Sequence, residues 1–326
     1  MHRVGYLTTK IAEITNLQLA FYKAQRHKQD RPDIIEYRER LDENLQLLHN
    51  QILSGKIKVG EYREFKIFDP KERVISASEF SERVLHHAIM NICEPYFEKQ
   101  FIFHTYANRK GKGEYAAIES ARKFMRQYKY VAKLDVRKYF DSINHNILQT
   151  QLNKIFKDRY LLNLFNQIIN SYHVEENCGL PIGNLTSQYM ANLYLSPLDH
   201  FIGGGYVRYM DDILVFADTR EKINEKVINI ENYLRRNLML ELKSPIIHIT
   251  SQNTDYLGYR LSCSRVLLNR RSKRRFSSKY QMYKLLFEDG IWSEEEYSLH
   301  LRPLFAFVQK AYTKKLRKKI HDNNAG

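Results

Sequence analysis

Long apolar runs are missing from this chain. No stretch approaches the roughly 18 consecutive apolar residues of a membrane span, and the opening MHRVGYLTTKIAEI lacks the apolar core of a secretory signal. No membrane partner is therefore expected, and a cytoplasmic location is. Cysteine is scarce too: Cys93, Cys178 and Cys263 lie far apart without paired ligand spacing. That argues against a disulfide framework or a zinc site and leaves buried or idle thiols. No internal repeat or low-complexity tract stands out. Acid is in short supply against base, 37 residues to 52, giving a formal net charge of +15. Such a field attracts polyanions, with nucleic acid the first candidate and an anionic membrane surface the second.

What is present reads as a mixed α and β chain. Its 326 residues are enough for a sizeable core and two or three subdomains on one scaffold. Leu41, Leu45, Leu48 and Ile52 recur at helical spacing and close at Ser54-Gly55, so the first sixty residues are expected to be mainly helical. A strand-like YREFKIFD follows. In SEFSERVLHHAIMNI, Phe80, Val84, Ala88 and Ile92 share one helical face, with Pro95 predicted to mark the stop. YVAKLDV reads as a buried strand running into a helix capped by Ser or Asn.

LPIGNLTSQYMANLYLSPL reads as a loop with Pro181 and Gly183 opening a helix that Pro197 ends. Three glycines, Gly203, Gly204 and Gly205, then lead into RYMDDILVFAD, where YVRY and ILVFA flank Met210-Asp211-Asp212 as a β-hairpin with paired acids at its tip. TDYLGYRLS reads as a short strand pair. From Arg265 to Leu286 there are eight basic residues and no acid, and the end, KAYTKKLRKKIHDNNAG, is basic again.

Two adjacent carboxylates on a rigid turn repel unless a cation lies between them. Hard oxygen ligands with no histidine or thiol nearby select magnesium, with manganese as the alternative. One hairpin does not supply a whole site, and Asp135, where the strand AKLD stops, is the expected third carboxylate. Strand-end Asp plus hairpin Asp-Asp suits two ions about 4 Å apart for in-line phosphoryl transfer. A solvated Asp-Asp turn is the plain alternative, and Asp141 reads as a helix cap or surface charge.

Together, AKLDVRKYFDSI, LPIGNLTSQ, RYMDD and YLGYRLS occur in the order and spacing of reverse transcriptase motifs, and the chain resembles that family from about Tyr62 to Arg260. The resemblance implies an α+β right-hand polymerase, with fingers, a palm carrying an antiparallel sheet and the Tyr-Met-Asp-Asp hairpin, and a short helical thumb. It divides the chain into N-terminal helices and fingers (1–128), palm (129–144), fingers (145–183), palm (184–262) and a basic thumb (263–326).

It also implies roles. Asp135 and Asp211 are the primary ligands of two Mg2+ ions, with Asp212 and the Val136 backbone carbonyl completing the set. Phe140 is the gate against a ribose 2′-hydroxyl, Tyr209 lies at the nucleotide, and Lys243 stands near the leaving pyrophosphate. KERVISASEFSERVLHH resembles the fingers of bacterial reverse transcriptases, with Arg73 at the incoming dNTP triphosphate and Arg83 at the template. Either arginine could instead be a surface or helix-pairing residue. Arg109, Lys110 and Lys112 could hold backbone phosphates or lie in a solvated loop.

One departure narrows the resemblance. Most reverse transcriptases read Gln-Gly in the loop and end in Ser-Pro, whereas this chain has Ile182-Gly183 and ends Ser187-Gln188, resembling the enzymes of diversity-generating retroelements. Those copy a template-repeat RNA into cDNA with errors opposite adenine and work with a small, basic, oligomeric accessory protein. Losing a planar amide beside the nascent base pair removes a polar contact on which discrimination relies. An ordinary-fidelity defence or group II intron enzyme and a polymerase-shaped RNA-binding factor are the alternatives. The stretch after YLGYRLS suits a basic helical thumb gripping a duplex rather than added maturase, endonuclease or RNase H regions. Exposed basic and aromatic residues around Phe276 and Tyr280 are expected to serve RNA or protein.

Overall fold

The computed structural model describes residues 3–68 and 72–317. In chain order these form α1 (Thr8–Ala12), α2 (Ile14–Ala24), α3 (Pro32–Glu39), α4 (Leu41–Ser54), β1 (Tyr62–Phe68), β2 (Glu72–Ser78), α5 (Phe80–Glu98), α6 (Glu114–Gln127) and β3 (Tyr130–Asp135). There follow α7 (His145–Ile155), α8 (Arg159–Asn170), α9 (Leu185–Tyr194), α10 (Ser196–Ile202), β4 (Tyr206–Tyr209), β5 (Asp212–Ala217) and α11 (Arg220–Leu238). The remainder is β6 (Ile246–Ile249), β7 (Thr254–Tyr256), β8 (Tyr259–Leu261), β9 (Val266–Leu268), α12 (Arg270–Glu288) and α13 (Glu294–Gln309). The basic end from residue 318 onward lies outside the described residues.

The chain divides into two compact units. The first comprises the described parts of Met1–Arg109, Val136–Gly203 and Ile228–Lys243. Its core is helical: Leu45, Leu48 and Ile52 of α4 are buried, as the sequence periodicity requires. Pro95, expected to stop α5, lies inside it. The helix continues because its next turn carries Phe97, fully buried with its ring centroid 5.9 Å from Phe156, 6.2 Å from Phe165 and 5.9 Å from Tyr189. Burying that side chain is worth about 1.5–3 kcal/mol, enough to offset a missing helical hydrogen bond.

Asn144, of the two residue types proposed, caps α7, its Oδ1 accepting from Ile147 N at 3.1 Å. Pro197 does not end α9, which stops at Tyr194; it sits in the first turn of α10, where a missing N–H costs nothing. β1 and β2 form an antiparallel hairpin running from Tyr62 opposite Ser78 to Phe68 opposite Glu72.

The second unit, the described parts of Lys110–Asp135, Gly204–Val227 and Ser244–Gly326, holds a four-stranded antiparallel sheet of order β4-β5-β3-β6. The central pair is largely apolar: Val131, Ala132 and Leu134 face Phe216, Val215 and Ile213, all buried, and Lys133 lies opposite the buried Leu214. β7, β8 and β9 form a second antiparallel sheet, one strand more than the pair predicted. α12 and α13 pack as a helical hairpin through Phe276, Tyr280 and Phe305, whose rings lie 5.5 and 6.1 Å apart. Phe276 and Tyr280 are therefore core residues, 1% and 3% exposed, and not the surface aromatics expected. Helical periodicity turns them inward and leaves Arg270, Arg271, Lys273 and Arg274 outside.

Candidate active site

The hairpin that presents the paired acids is tight. Tyr209 pairs with Asp212, leaving Met210 and Asp211 as a two-residue loop. Only turns with left-handed residues match the twist of the flanking strands, and glycine is the usual first residue when it alone is left-handed. Here Met210 takes that conformation at φ +56°. β3 lies on the other side of β5, and its register places Asp135 directly opposite Asp212. The fold thus brings Asp135, Asp211 and Asp212 to one end of one sheet.

Like charges directly opposite across a strand pair are destabilising. Partial relief comes from Lys133, whose Nζ is 3.9 Å from Asp212 Oδ1 while donating to the Asp255 carbonyl at 3.0 Å. That distance is at the limit of an ion pair. Such a donor set fits a hard divalent cation. Magnesium is commonly held by one or two carboxylates plus substrate phosphates rather than by an all-protein cage. No group of three His, Cys, Asp or Glu side chains placed to hold a metal ion occurs among the described residues, so the three aspartates share one end of the sheet without forming such a group. Tyr209, half-buried beside the acids, has its hydroxyl pKa raised by burial and by the Glu114 carboxylate.

The first unit carries the other predicted residues. The Ile182 carbonyl accepts from Ser76 N of β2 at 2.9 Å, which fixes the loop onto the β1–β2 hairpin. Gly183 has φ +129°, and a Cβ there would lie 3.0 Å from Ile75 Cγ2, so the position accepts little but glycine. Gln188 stands in the first turns of α9, its N–H donating to the Asn184 carbonyl at 3.3 Å. Phe140 is half-buried, and its carbonyl accepts from Leu180 N at 2.9 Å, tying it to the same loop. Val136 bridges Leu242 and Arg137 N donates to the Glu241 carbonyl at 2.8 Å, which places Lys243 at the end of that pairing. Arg73 is exposed on β2 opposite Ile67.

Two arginines are engaged by neighbouring residues of the chain. Arg83 Nη2 donates to Asp33 at 2.7 Å with its guanidinium over the Phe80 ring, as the helix-pairing alternative requires. Arg109 donates to Glu98 at 2.9 Å and to the carbonyls of Ile102 and Thr105 at 2.6 and 2.8 Å. It braces the loop after α5 instead of holding phosphate. Asp141 lies in a 3-10 turn at Phe140–Ser142 and caps no helix; burial raises its carboxyl pKa.

Sequence reasoning passed over Arg208. It is 0% exposed, the largest fully buried side chain among the described residues, and Nη1 donates to the Met210 carbonyl at 3.1 Å. The available signal was a strand alternation that puts position 208 on the same face as Tyr206.

An antiparallel sheet with Asp211 and Asp212 on a hairpin and Asp135 at the end of the neighbouring strand has the organisation of a polymerase palm. Residues 68–261 match the family described as reverse transcriptase (RNA-dependent DNA polymerase), and the chain belongs to that family. It is 23% identical over 167 residues to the COX1/OXI3 intron 1 protein of Saccharomyces cerevisiae, covering 48% of this chain and 20% of that protein. With the group II intron-encoded protein LtrA of Lactococcus lactis it shares 23% identity over 208 residues, 58% of this chain and 35% of LtrA. Among solved structures, apo telomerase from Candida tropicalis, truncated from its C-terminal domain, aligns at 13% identity over 64% of this chain and 55% of that one, with a TM-score of 0.47. The chain spans well under half the length of either curated relative. No helix among the described residues is long and apolar enough to cross a membrane.

Proposed function

We propose that the chain is an RNA-directed DNA polymerase. The observation that carries this reading is the register that sets Asp135 opposite Asp212, one residue from the Asp211 turn. A growing 3′-hydroxyl attacks the α-phosphate of a deoxynucleoside triphosphate, a P–O bond forms, and pyrophosphate leaves with the bond electrons. Two Mg2+ ions, or Mn2+, bound by Asp135, Asp211, Asp212 and the Val136 carbonyl would lower the hydroxyl pKa and neutralise charge on the phosphates. Arg73 would bind the triphosphate, Tyr209 would lie against the nucleotide, and Phe140 would exclude a 2′-hydroxyl. Lys243 would supply positive charge, and potentially a proton, to the leaving pyrophosphate.

Ile182 and Gln188 support a finer reading: error-prone copying of a template-repeat RNA, of the diversity-generating type, with a small, basic, oligomeric accessory protein. The Ile182 carbonyl is held by Ser76 N, and an aliphatic side chain at this loop position would lack the hydrogen bond an amide could offer. A second reading, an intron-type enzyme of ordinary fidelity, is favoured by the likeness to intron-encoded proteins.

The deciding experiment copies a defined RNA with purified protein, deoxynucleotides and magnesium, with any accessory protein encoded nearby, and scores cDNA errors by template base. Errors concentrated opposite adenine and abolished with all cDNA in Asp211→Ala support the finer reading. Rare, uniform errors move the assignment to the intron-type enzyme. Tight RNA binding without cDNA refutes the polymerase.

A further inference from the structure

We infer that Arg208 is the positioning residue of the catalytic hairpin: it holds Met210 in the left-handed conformation that aims Asp211 and Asp212. The inference rests on the polymerase reading and adds to it a part no aspartate can supply. Three observations meet here.

The first is cost. A non-glycine residue in the left-handed region is disfavoured by Cβ–carbonyl crowding, and Met210 has neither glycine's freedom nor the short polar side chain of Asn or Asp that eases the strain. Left alone, a two-residue loop with methionine first would relax toward negative φ and rotate the following peptide, and Asp211 is that peptide's residue.

The second is the restraint. Arg208 Nη1 donates to the Met210 carbonyl at 3.1 Å, the group whose direction a flip of the turn would change. A charged donor gives a stronger hydrogen bond than a neutral one, and the guanidinium fork is planar and rigid. The third is burial. Arg208 is wholly withdrawn from solvent in β4, opposite Ile213. A guanidinium in such a place is costly to desolvate, and packing alone would be served better by leucine or methionine. Its bond to the Met210 carbonyl is one of the contacts that hold it there, and the one that reaches the turn.

The inference separates positioning from binding. Loss of the restraint leaves Arg73 and Phe140 untouched and misdirects the acids, so turnover falls far more than affinity. A misplacement near 1 Å in such a site costs about 100-fold.

The test is a cycle of Arg208→Gln, Met210→Gly and the double variant, assayed by single-nucleotide extension on an RNA template with a DNA primer. Thermal midpoints are recorded for all. We expect Arg208→Gln to lower kcat about 100-fold with the dNTP KM and template-primer Kd within about threefold. Adding Met210→Gly, which takes positive φ without strain, should restore at least tenfold of the loss. A folded Arg208→Gln with kcat near the unaltered value overturns the inference. So does a loss carried by KM or Kd, or one that Met210→Gly leaves unrepaired. If Arg208→Gln does not fold, the cycle is run with Arg208→Met, whose stem fills much of the same space and carries no donor, and is read the same way. A silent unaltered chain defeats the polymerase reading and this inference together, whereas an active one with indifferent Arg208 variants defeats this inference alone.

Discussion

Replacing Gly183 by alanine measures how firmly the nucleotide loop is seated on the β1–β2 hairpin. At φ +129° an L side chain is strained whatever space surrounds it, a cost of about 1–3 kcal/mol. Space is also lacking. The new methyl would meet Ile75 Cγ2 at 3.0 Å and the Ser76 carbonyl oxygen at 3.4 Å. Ile75 can turn aside, but the Ser76 backbone is held by its own bond to Ile182 at 2.9 Å. Any retreat of the loop therefore endangers that hydrogen bond, worth about 1 kcal/mol. The two terms together give about 2–4 kcal/mol. Gly111→Ala is the control, since Gly111 also has positive φ (+69°) but no atom within 4 Å of a Cβ. Its cost should be the backbone strain alone, about 1–2 kcal/mol. Urea titrations followed by far-UV circular dichroism give both values. Gly183→Ala should also raise the dNTP KM, because Ile182 moves with the loop. Equal destabilisation by the two substitutions would refute the contact argument, and an unchanged KM would refute the placement of Ile182 at the nucleotide.

Asp158 ties the N-terminus to α8: its carboxylate accepts from Leu7 N at 2.7 Å, Thr8 N at 3.0 Å, Thr8 Oγ1 at 2.9 Å and Leu161 N at 3.2 Å. Burial pushes its pKa up, but the hydrogen bonds from Thr8, Leu161 and Leu7 outweigh this and hold it below the ordinary carboxylate value. Its stabilisation is therefore fully present above the unfolded value of about 3.9 and is lost as pH falls through the lower folded one. Asp158→Asn should cost about 1–3 kcal/mol at pH 7 and progressively less in acid, and a deficit unchanged by pH in urea titrations would contradict the assignment. Arg270 opens α12, a helix with no acid in its first turn, so its charge opposes the helix dipole. Arg270→Glu should raise thermal stability by about 0.3–1 kcal/mol. It should also weaken template-primer binding and flatten the slope of log Kd against log salt by about 1, and an unchanged slope would remove Arg270 from the nucleic-acid surface.

Much of the fold was legible where one periodicity held. The apolar run of β3, the alternation around the acids and the helical face of α4 each depend on local pattern, and each appears as expected. What escaped depended on partners distant in sequence. Pro95 reads as a stop until Phe97 finds Phe156 and Phe165, and Arg109 reads as a phosphate ligand until Glu98 claims it. Phe276 and Tyr280 look like an RNA platform in a run of arginines because a basic segment hides its own helical period. For the candidate site, motif order picked out three aspartates, whereas the register that opposes Asp135 to Asp212 needed the sheet. Arg208 was in plain view in RYMDD, but a strand arginine reads as surface unless the opposite face is known to be the solvent one.

The second unit breaks several local rules of foldability, and the departures share a direction. Methionine sits where a tight hairpin wants glycine, and aspartate faces aspartate across β3 and β5. An arginine is buried in β4, and α12 begins with Arg270 and Arg271 against its own dipole. A sequence selected only to fold would keep none of these, since each lowers stability by a known mechanism. Two of them are imbalances of charge with opposite sign: the opposed acids call for cations, and the basic helix start calls for anions. On the proposed polymerase reading, a nucleic acid and a nucleoside triphosphate carrying divalent ions would supply both at once. The other two concern the geometry of the hairpin that bears the acids, and a restraint on geometry matters only if the carboxylates must point somewhere. On that reading, strain at the turn and opposed acids on the sheet are two aspects of one requirement, that the site be finished by its substrates and not by the protein.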